Sequence, residues 1–393
     1  MLKQVFDKEQ LTKVISPTDV WKWDITPEYG DVEKAINLTV DSWKSNGINL
    51  APLATRTVNT RRIFTPSSME DAFAMKLLDR FVRRIYKVRQ ADRNRIVRQL
   101  TTLLRDSGDH HIIRFDIQDC YESIKLADLV KKMEDDSILA PQCIKIFKQI
   151  HNQLSVDHTM DGLPRGLTIS PTLAELYLRA LDRKIAAHEN VIYTARYVDD
   201  IVVIIPKNND SETMNYIKDQ LNELGLKLNS SPEKSYSGST KSAKFDYLGY
   251  SIEVTSKKDK PNNVELRIAK KKLDRLKKRV AISLNEFRKS KNFQLLKRRL
   301  EYLCMLKTVR KGKNGNLLAG LAHNYQYVTD DFSCLKSIDG FLCNSIKRGR
   351  YCLSPTEIDT LKKISIYGNT KKRNVGKFSN KQTIQIMQAW KNA

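Results

Sequence analysis

Apolar residues recur at helical spacing along most of the chain and at strand spacing in a few short stretches, and the two periods divide it into elements. Val32, Ile36, Val40 and Trp43 share one face of a segment opened by Asp31 and closed by Gly47, so residues 1–50 read as a helical N-terminal extension. From Arg56 to Pro66 β-branched and basic residues predict a strand or hairpin with Arg56, Arg61 and Arg62 on its surface. Ser68 to about Val88 is a helix burying Phe73, Leu77, Leu78, Phe81 and Ile85. Arg89 to Arg105 is another, with Ile96, Val97, Leu100, Leu103 and Leu104 inward. Arg93, Arg95, Arg98 and Arg105 point outward as a solvated face or as phosphate contacts.

His110-His111 reads as a turn, Ile112–Asp119 (IIRFDIQD) as a strand, and Asp119–Glu122 as a helix start. A helix follows from about Pro141 to Ser155. Ser170 and Pro171 read as N-cap and first residue of the next, which buries Leu173, Leu176, Tyr177, Ala180 and Leu181. Ala195–Ile205 (ARYVDDIVVII) is a hairpin with Asp199 and Asp200 at its tip. Side chains alternate along a strand, so one of these adjacent acids can hold a cation while the other flanks it. Ser211–Leu224 is a helix closed by Gly225, Leu226–Asn229 a strand, and Lys244–Val254 a strand pair facing inward with Leu248, Tyr250, Ile252 and Val254. Lys257–Lys313 reads as helices with Leu273, Leu276, Val280, Leu284 and Phe287 as their stripe, and the region from Asn314 onward is weakly patterned helix.

Charge changes this picture most. The 393 residues carry 69 Lys plus Arg against 45 Asp plus Glu, a net charge of +24, so an acidic polymer or an anionic surface is the expected partner. Lys257–Lys313 alone holds 21 basic residues against five acidic ones, too one-sided for mutual pairing. A nucleic-acid-gripping helical block is therefore favoured over a merely solvated face, with Lys271, Lys272, Lys277 and Lys278 as contacts. The excess continues in Arg348, Arg350, Lys371, Lys372 and Arg373, which suggests a structured RNA as partner. No apolar run reaches bilayer length and the N-terminus lacks a signal-peptide core, so a cytoplasmic protein with no membrane partner is expected. The six cysteines form no C-x-x-C pair, which argues against zinc and against a disulfide framework.

The acids supply the candidate chemistry. Tyr-x-Asp-Asp alone is a weak signal, and its bland reading is an ordinary Asp-containing turn. What strengthens it is Asp116 on another strand 83 residues earlier (199 minus 116), with the Gly/Pro-rich Asp161–Glu175 (DGLPRGLTISPTLAE) between them. Carboxylates on two strands, a backbone shaped for close approach and basic elements on either side are the parts that templated phosphoryl transfer requires. Oxygen donors suit two Mg²⁺ ions, with Mn²⁺ as a substitute.

At these residues the chain resembles the prokaryotic reverse transcriptases, over roughly residues 50–310. FDIQDCY, GLPRGLTISP, YVDD, GLKLNSSPEKS and FDYLGY resemble the family's palm motifs and primer-grip hairpin, in the family's order. The resemblance implies an α+β right-hand polymerase: fingers over 51–110, a palm of antiparallel sheet with helices over 111–255, a basic helical thumb over 256–315 and a helical C-terminal region over 316–393. It further implies that Asp116 and Asp199 ligate both metals, that Asp200 completes the site, and that the Ile117 carbonyl is a further ligand. Arg61 in RRIFTP would hold the incoming triphosphate, with Asp119 beside it. Tyr121 would be the aromatic gate under the sugar, a reading that favours DNA over RNA synthesis. Gly166 would let the backbone approach the nascent base pair, and Lys234 would lie near the leaving pyrophosphate. Arg165 departs from the family's usual glutamine, so handling of the base pair or template is expected to differ. Tyr121 as plain core and Lys234 as an ordinary loop lysine are the bland alternatives.

Within the family the fit is to the defence-associated, abortive-infection-like enzymes implicated in phage resistance. The implied partners are dNTPs, an RNA template that is a dedicated noncoding RNA, the DNA product, and a second copy of the chain or a second reverse transcriptase subunit. No nuclease, RNase H or integrase pattern is read in the roughly 80 residues after Lys313. The alternatives are a catalytically silent RNA-binding scaffold or subunit, a retron or group II intron-like enzyme, and an RNA-dependent RNA polymerase.

Overall fold

The structure is a computed structural model that describes residues 3–58, 60–257, 260–310, 317–347 and 351–390. Arg348 and Arg350 of the basic excess, and residues 258, 259 and 311–313 of the basic block, lie outside the described residues. The chain forms two compact units, one of Met1–Asp92 with His110–Ser237 and one of Arg93–Asp109 with Gly238–Ala393. Helices and antiparallel sheets are mixed in the α+β manner that the resemblance implies.

In the first unit, four helices (Lys8–Thr12, Pro17–Lys22, Ile25–Tyr29 and Val32–Asn46) precede a hairpin of β1 (Ala54–Val58) and β2 (Arg61–Thr65). Asp31 caps the fourth helix by accepting from the Lys34 amide at 2.7 Å, and Gly47 closes it at φ 67°. Leu11, Ile25, Ile36 and Val40 of these helices share one core with the central sheet, so the segment read as an extension contributes to the packing of the unit. The arginines at 56, 61 and 62 are exposed, as the pattern predicts.

The sheet runs in the order β4–β5–β3–β6, built from β3 (His110–Asp116), β4 (Tyr193–Tyr197), β5 (Asp200–Pro206) and β6 (Tyr236–Ser239). Ile113, Phe115, Ile201, Val203 and Ile205 turn one face to the core. His110 and His111 open β3 rather than forming a turn, paired with Pro206 and Ile205, because the partner strand is long enough to continue the ladder. Leu226–Asn229, expected as a strand, makes only an isolated bridge between Leu228 and Ile117. The helix Leu126–Asp136 escaped the sequence reading, although Leu126, Leu129, Val130 and Met133 are its buried stripe. Ser170 is not the N-cap of its helix. Ile169 holds that position, and the Ser170 hydroxyl donates to the Pro164 carbonyl at 2.5 Å, tying the preceding loop to the helix start.

The second unit contains the sheet of β7 (Lys244–Tyr247), β8 (Tyr250–Lys257) and β9 (Lys260–Ile268). β9 corrects the all-helical reading of the basic block. Asn262, Val264, Leu266 and Ile268 alternate inward, a period of two masked in the sequence by neighbouring lysines. Leu248 belongs to the β7–β8 turn at φ 48°, while Tyr250, Ile252 and Val254 are buried. The helix Lys270–Ser290 buries Leu276, Val280, Leu284 and Phe287, and packs on the helix Phe293–Cys304. Arg93, expected to point outward, donates to the Leu248 carbonyl at 3.0 Å and stacks on Tyr250 and Tyr325 at 5.1 Å each, since those rings offer a better surface than water for its stem and fork.

Candidate active site

Strand alternation places Arg114 and Asp116 of β3 on the sheet face opposite the core, and Asp200 of β5 joins them as the cross-strand partner of Asp116. Like charges directly opposite each other on an antiparallel pair repel. Arg114 relieves the repulsion: its Nε and Nη2 reach the two oxygens of Asp200 at 2.9 and 3.2 Å, and its Nη1 donates to the Glu233 carbonyl at 3.0 Å. Asp116, 3% exposed, receives Lys234 Nζ at 3.0 Å and Asn229 Nδ2 at 3.1 Å on one oxygen.

Asp199 stands in the two-residue turn between β4 and β5, where the Ile117 amide donates to its carbonyl at 3.1 Å. The turn is costly in itself, because the β-branched Val198 adopts φ 63°. Arg196 holds it in place. Its guanidinium donates to the Val198 carbonyl at 2.9 Å and pairs with Glu175 at 2.8 Å and Asp182 at 2.7 Å, both on the helix Ser170–Ala187. Burial opposes the Arg196 charge, but its two acidic partners carry its pKa well above the ordinary arginine value.

The β1–β2 hairpin and the GLPRGLTISP loop are joined by backbone. The Phe64 amide donates to the Arg165 carbonyl at 2.7 Å, and Gly166 follows at φ 101° with no room for a side chain: a Cβ there would lie 2.4 Å from the Phe64 carbonyl oxygen. Arg61 reaches Asp119 at 3.3 Å, both half exposed. Tyr121 is the second residue of the short helix Cys120–Ser123, and its carbonyl accepts from the Leu163 amide at 2.7 Å. Arg165 pairs with Glu122 through two bonds, at 2.6 and 3.0 Å. Ten predicted residues, Arg61, Asp116, Ile117, Asp119, Tyr121, Arg165, Gly166, Asp199, Asp200 and Lys234, thus belong to the first unit. Lys271, Lys272, Lys277 and Lys278 are on the helix Lys270–Ser290 of the second.

Burial acts in the same direction on the two acids of the hairpin. Burial and then the neighbouring Asp116 charge raise the Asp199 pKa. Burial also raises that of Asp200, against the opposing effect of Arg114. Among the described residues no three His, Cys, Asp or Glu side chains converge on one point. The carboxylates of Asp116 and Asp199 are the hard oxygen donors that fit a divalent cation such as Mg²⁺ or Mn²⁺, while Asp200 is turned into the fork of Arg114. Arg114, Arg196, Glu175, Asp182 and Asn229 were missed from sequence. The signal for Arg114 was available, as a lone charge in the apolar run IIRF two positions before Asp116; the others are brought in only by folding.

Residues 66–252 match the family model described as "Reverse transcriptase (RNA-dependent DNA polymerase)". That span holds every first-unit site residue except Arg61, and ends within β8, before the lysines of the helix Lys270–Ser290. No curated protein matches the chain. Among solved structures, telomerase from Candida albicans in complex with a TWJ fragment of telomeric RNA aligns with TM-score 0.41 and 12% identity, over 87% of this chain and 62% of that one. Telomerase from Candida tropicalis with a TWJ fragment aligns with TM-score 0.38 and 13% identity, over 92% of this chain and 68% of that one. The chain therefore spans 62% of the length of the first of these telomerases. Residues 66–252 are thus similar to a reverse transcriptase domain.

Proposed function

We propose that the protein is an RNA-directed DNA polymerase, extending DNA by two-metal nucleotidyl transfer and acting in phage defence on a noncoding RNA of its own. The observation that carries the catalytic part is the placement of Asp116 and Asp199, 83 residues apart in sequence, at one end of the β3–β5 ladder, inside the span that matches the reverse transcriptase family model. Asp116, Asp199 and the Ile117 carbonyl would hold the ions. When bound, two Mg²⁺ ions lower the pKa of the attacking 3′-hydroxyl and neutralise the leaving pyrophosphate. Asp200, oriented by Arg114, keeps the negative field at that end of the sheet. Lys234 and Arg61, paired here with Asp116 and Asp119, are the mobile cations that a triphosphate recruits. Gly166 keeps the backbone low where the nascent base pair lies, and Tyr121 excludes a 2′-hydroxyl.

The defence setting is supported by the resemblance of the motifs and by a basic surface larger than one cleft requires. Lys271, Lys272 and Lys278 are exposed, as are Lys371, Lys372 and Arg373. Two measurements test the proposal. Asp199→Asn with Asp200→Asn should abolish Mg²⁺-dependent dNTP incorporation and phage resistance while RNA stays bound; incorporation at the wild-type rate would sink the two-metal assignment. Sequencing the RNA retained at high salt should give one dominant species encoded beside the gene, whereas ribosomal and transfer RNA in proportion to abundance would overturn the dedicated-RNA reading.

A further inference from the structure

We propose that Arg165, anchored by Glu122, is a positioning residue for sugar selection: its guanidinium holds the Tyr121 ring in place, so that the gate cannot swing aside for a ribonucleotide. The clamp matters only if Tyr121 underlies the sugar, as the polymerase reading has it.

The guanidinium carbon sits 5.1 Å from the centre of the Tyr121 ring, within stacking reach. The same group makes both bonds to Glu122, so its plane is set from one side by a carboxylate and used on the other against an aromatic face. A glutamine has neither the charge nor the fork for both contacts, and a lysine has the charge without the plane.

Three backbone features show that this placement is built in. The Leu163 amide donates to the Tyr121 carbonyl at 2.7 Å, next to the Leu126 amide bonded to the Asp161 carbonyl at 2.9 Å, so the loop and the gate helix are stitched together. Gly162 makes that approach possible: a Cβ there would lie 2.4 Å from the Glu122 carbonyl oxygen. On the far side, the Arg165 carbonyl accepts from Phe64 of β2 at 2.7 Å. The Arg165 backbone is therefore held between the fingers hairpin and the gate helix, and only its side chain spans back to the ring.

The location fits the task. Tyr121 and Arg165 both feel the charge of Asp199, so the clamp lies beside the carboxylate pair rather than at a distant surface. The pair is also too exposed to act mainly through stability, with side chains 28% and 40% accessible. Its effect is order: a stacked ring loses the freedom to shift by the fraction of an ångström that a 2′-hydroxyl requires.

Single-turnover primer extension with a dNTP and its matching rNTP reads the effect as the ratio of the two kcat/KM values. Arg165→Gln should reduce that discrimination about tenfold, the equivalent of one good cation–π contact, and Glu122→Gln, which keeps the ring contact but frees the fork, should reduce it by less. Arg165→Lys should not restore it. In a Tyr121→Ala background, Arg165→Gln should change nothing further, because the positioned group is gone. An equal drop in both backgrounds would show that Arg165 acts on the nucleotide directly, and unchanged discrimination in Arg165→Gln would make the pair an inert surface contact; either result overturns the clamp. Failure of the wild-type protein to incorporate any dNTP is a separate result, which removes the polymerase reading itself and the clamp with it.

Discussion

Asp116 and Asp200 stand directly opposite each other across β3 and β5, two acids in a register position where like charges repel, and Arg114 on the same face bonds both oxygens of Asp200. Removing that arginine leaves a largely buried carboxylate beside a second one. Arg114→Gln should therefore cost about 3–5 kcal/mol in urea unfolding of the metal-free protein, the usual penalty for breaking a buried pair from one side. A loss below about 1 kcal/mol would mean that Asp200 finds another partner or becomes protonated.

Asp199 carries a pH dependence of its own. Its folded pKa is raised, by burial and then by Asp116, so the stability associated with its protonated form is present below the unfolded value and is lost as pH rises through the folded one. Metal-free Asp199→Asn should accordingly melt above wild type at neutral pH, and the gap should close as the pH is lowered and wild type takes up its proton. Mg²⁺ should raise the melting temperature of wild type and leave the variant unmoved. Thermal scans across pH, with and without Mg²⁺, check both statements.

The hairpin tip depends on Arg196, which ties Val198 to Glu175 and Asp182. Arg196→Met keeps the stem and strands both acids, so a loss of about 3 kcal/mol is expected together with loss of activity, because Asp199 would no longer be held. Asp182→Asn, at the more exposed of the two acids, should cost about 1 kcal/mol or less. Denaturant midpoints of the two variants compare them directly.

Two glycines with positive φ should respond differently to alanine. Gly166→Ala sets a methyl against the Phe64 carbonyl and the Ile63 side chain as well as straining the backbone, so about 3 kcal/mol and most of the activity should go. Gly225, which follows the helix Asp210–Glu223 with open space around it, should lose only about 1 kcal/mol on the same change, with activity kept. Equal costs would show that the contact with the β1–β2 hairpin gives way freely.

Charge reversal of Lys271, Lys272, Lys277 and Lys278 should lower nucleic-acid affinity and flatten the plot of log affinity against log salt by about one unit for each phosphate that is no longer neutralised. An unchanged slope would make these lysines a solvated face.

What the sequence determined was whatever lies within one element or one short loop. The helix Val32–Asn46 was legible from Asp31 to Gly47, the β4–β5 hairpin from its β-branched flanks, and the acids from their place at strand ends, because period, caps and turn residues act over a few positions. Neighbouring charge hid β9, whereas the helix Leu126–Asp136 was legible in the helical spacing of Leu126, Leu129, Val130 and Met133. Tertiary structure alone decided which partner each charge would take. Nothing local marks Arg196 as the brace of a turn, or sends Arg114 to Asp200, Lys234 to Asp116 and Arg165 to Glu122. Those pairings span from a few residues to more than a hundred, and they form because a folded sheet face removes water from charges that must then be answered by whatever opposite charge the chain's path has brought within reach.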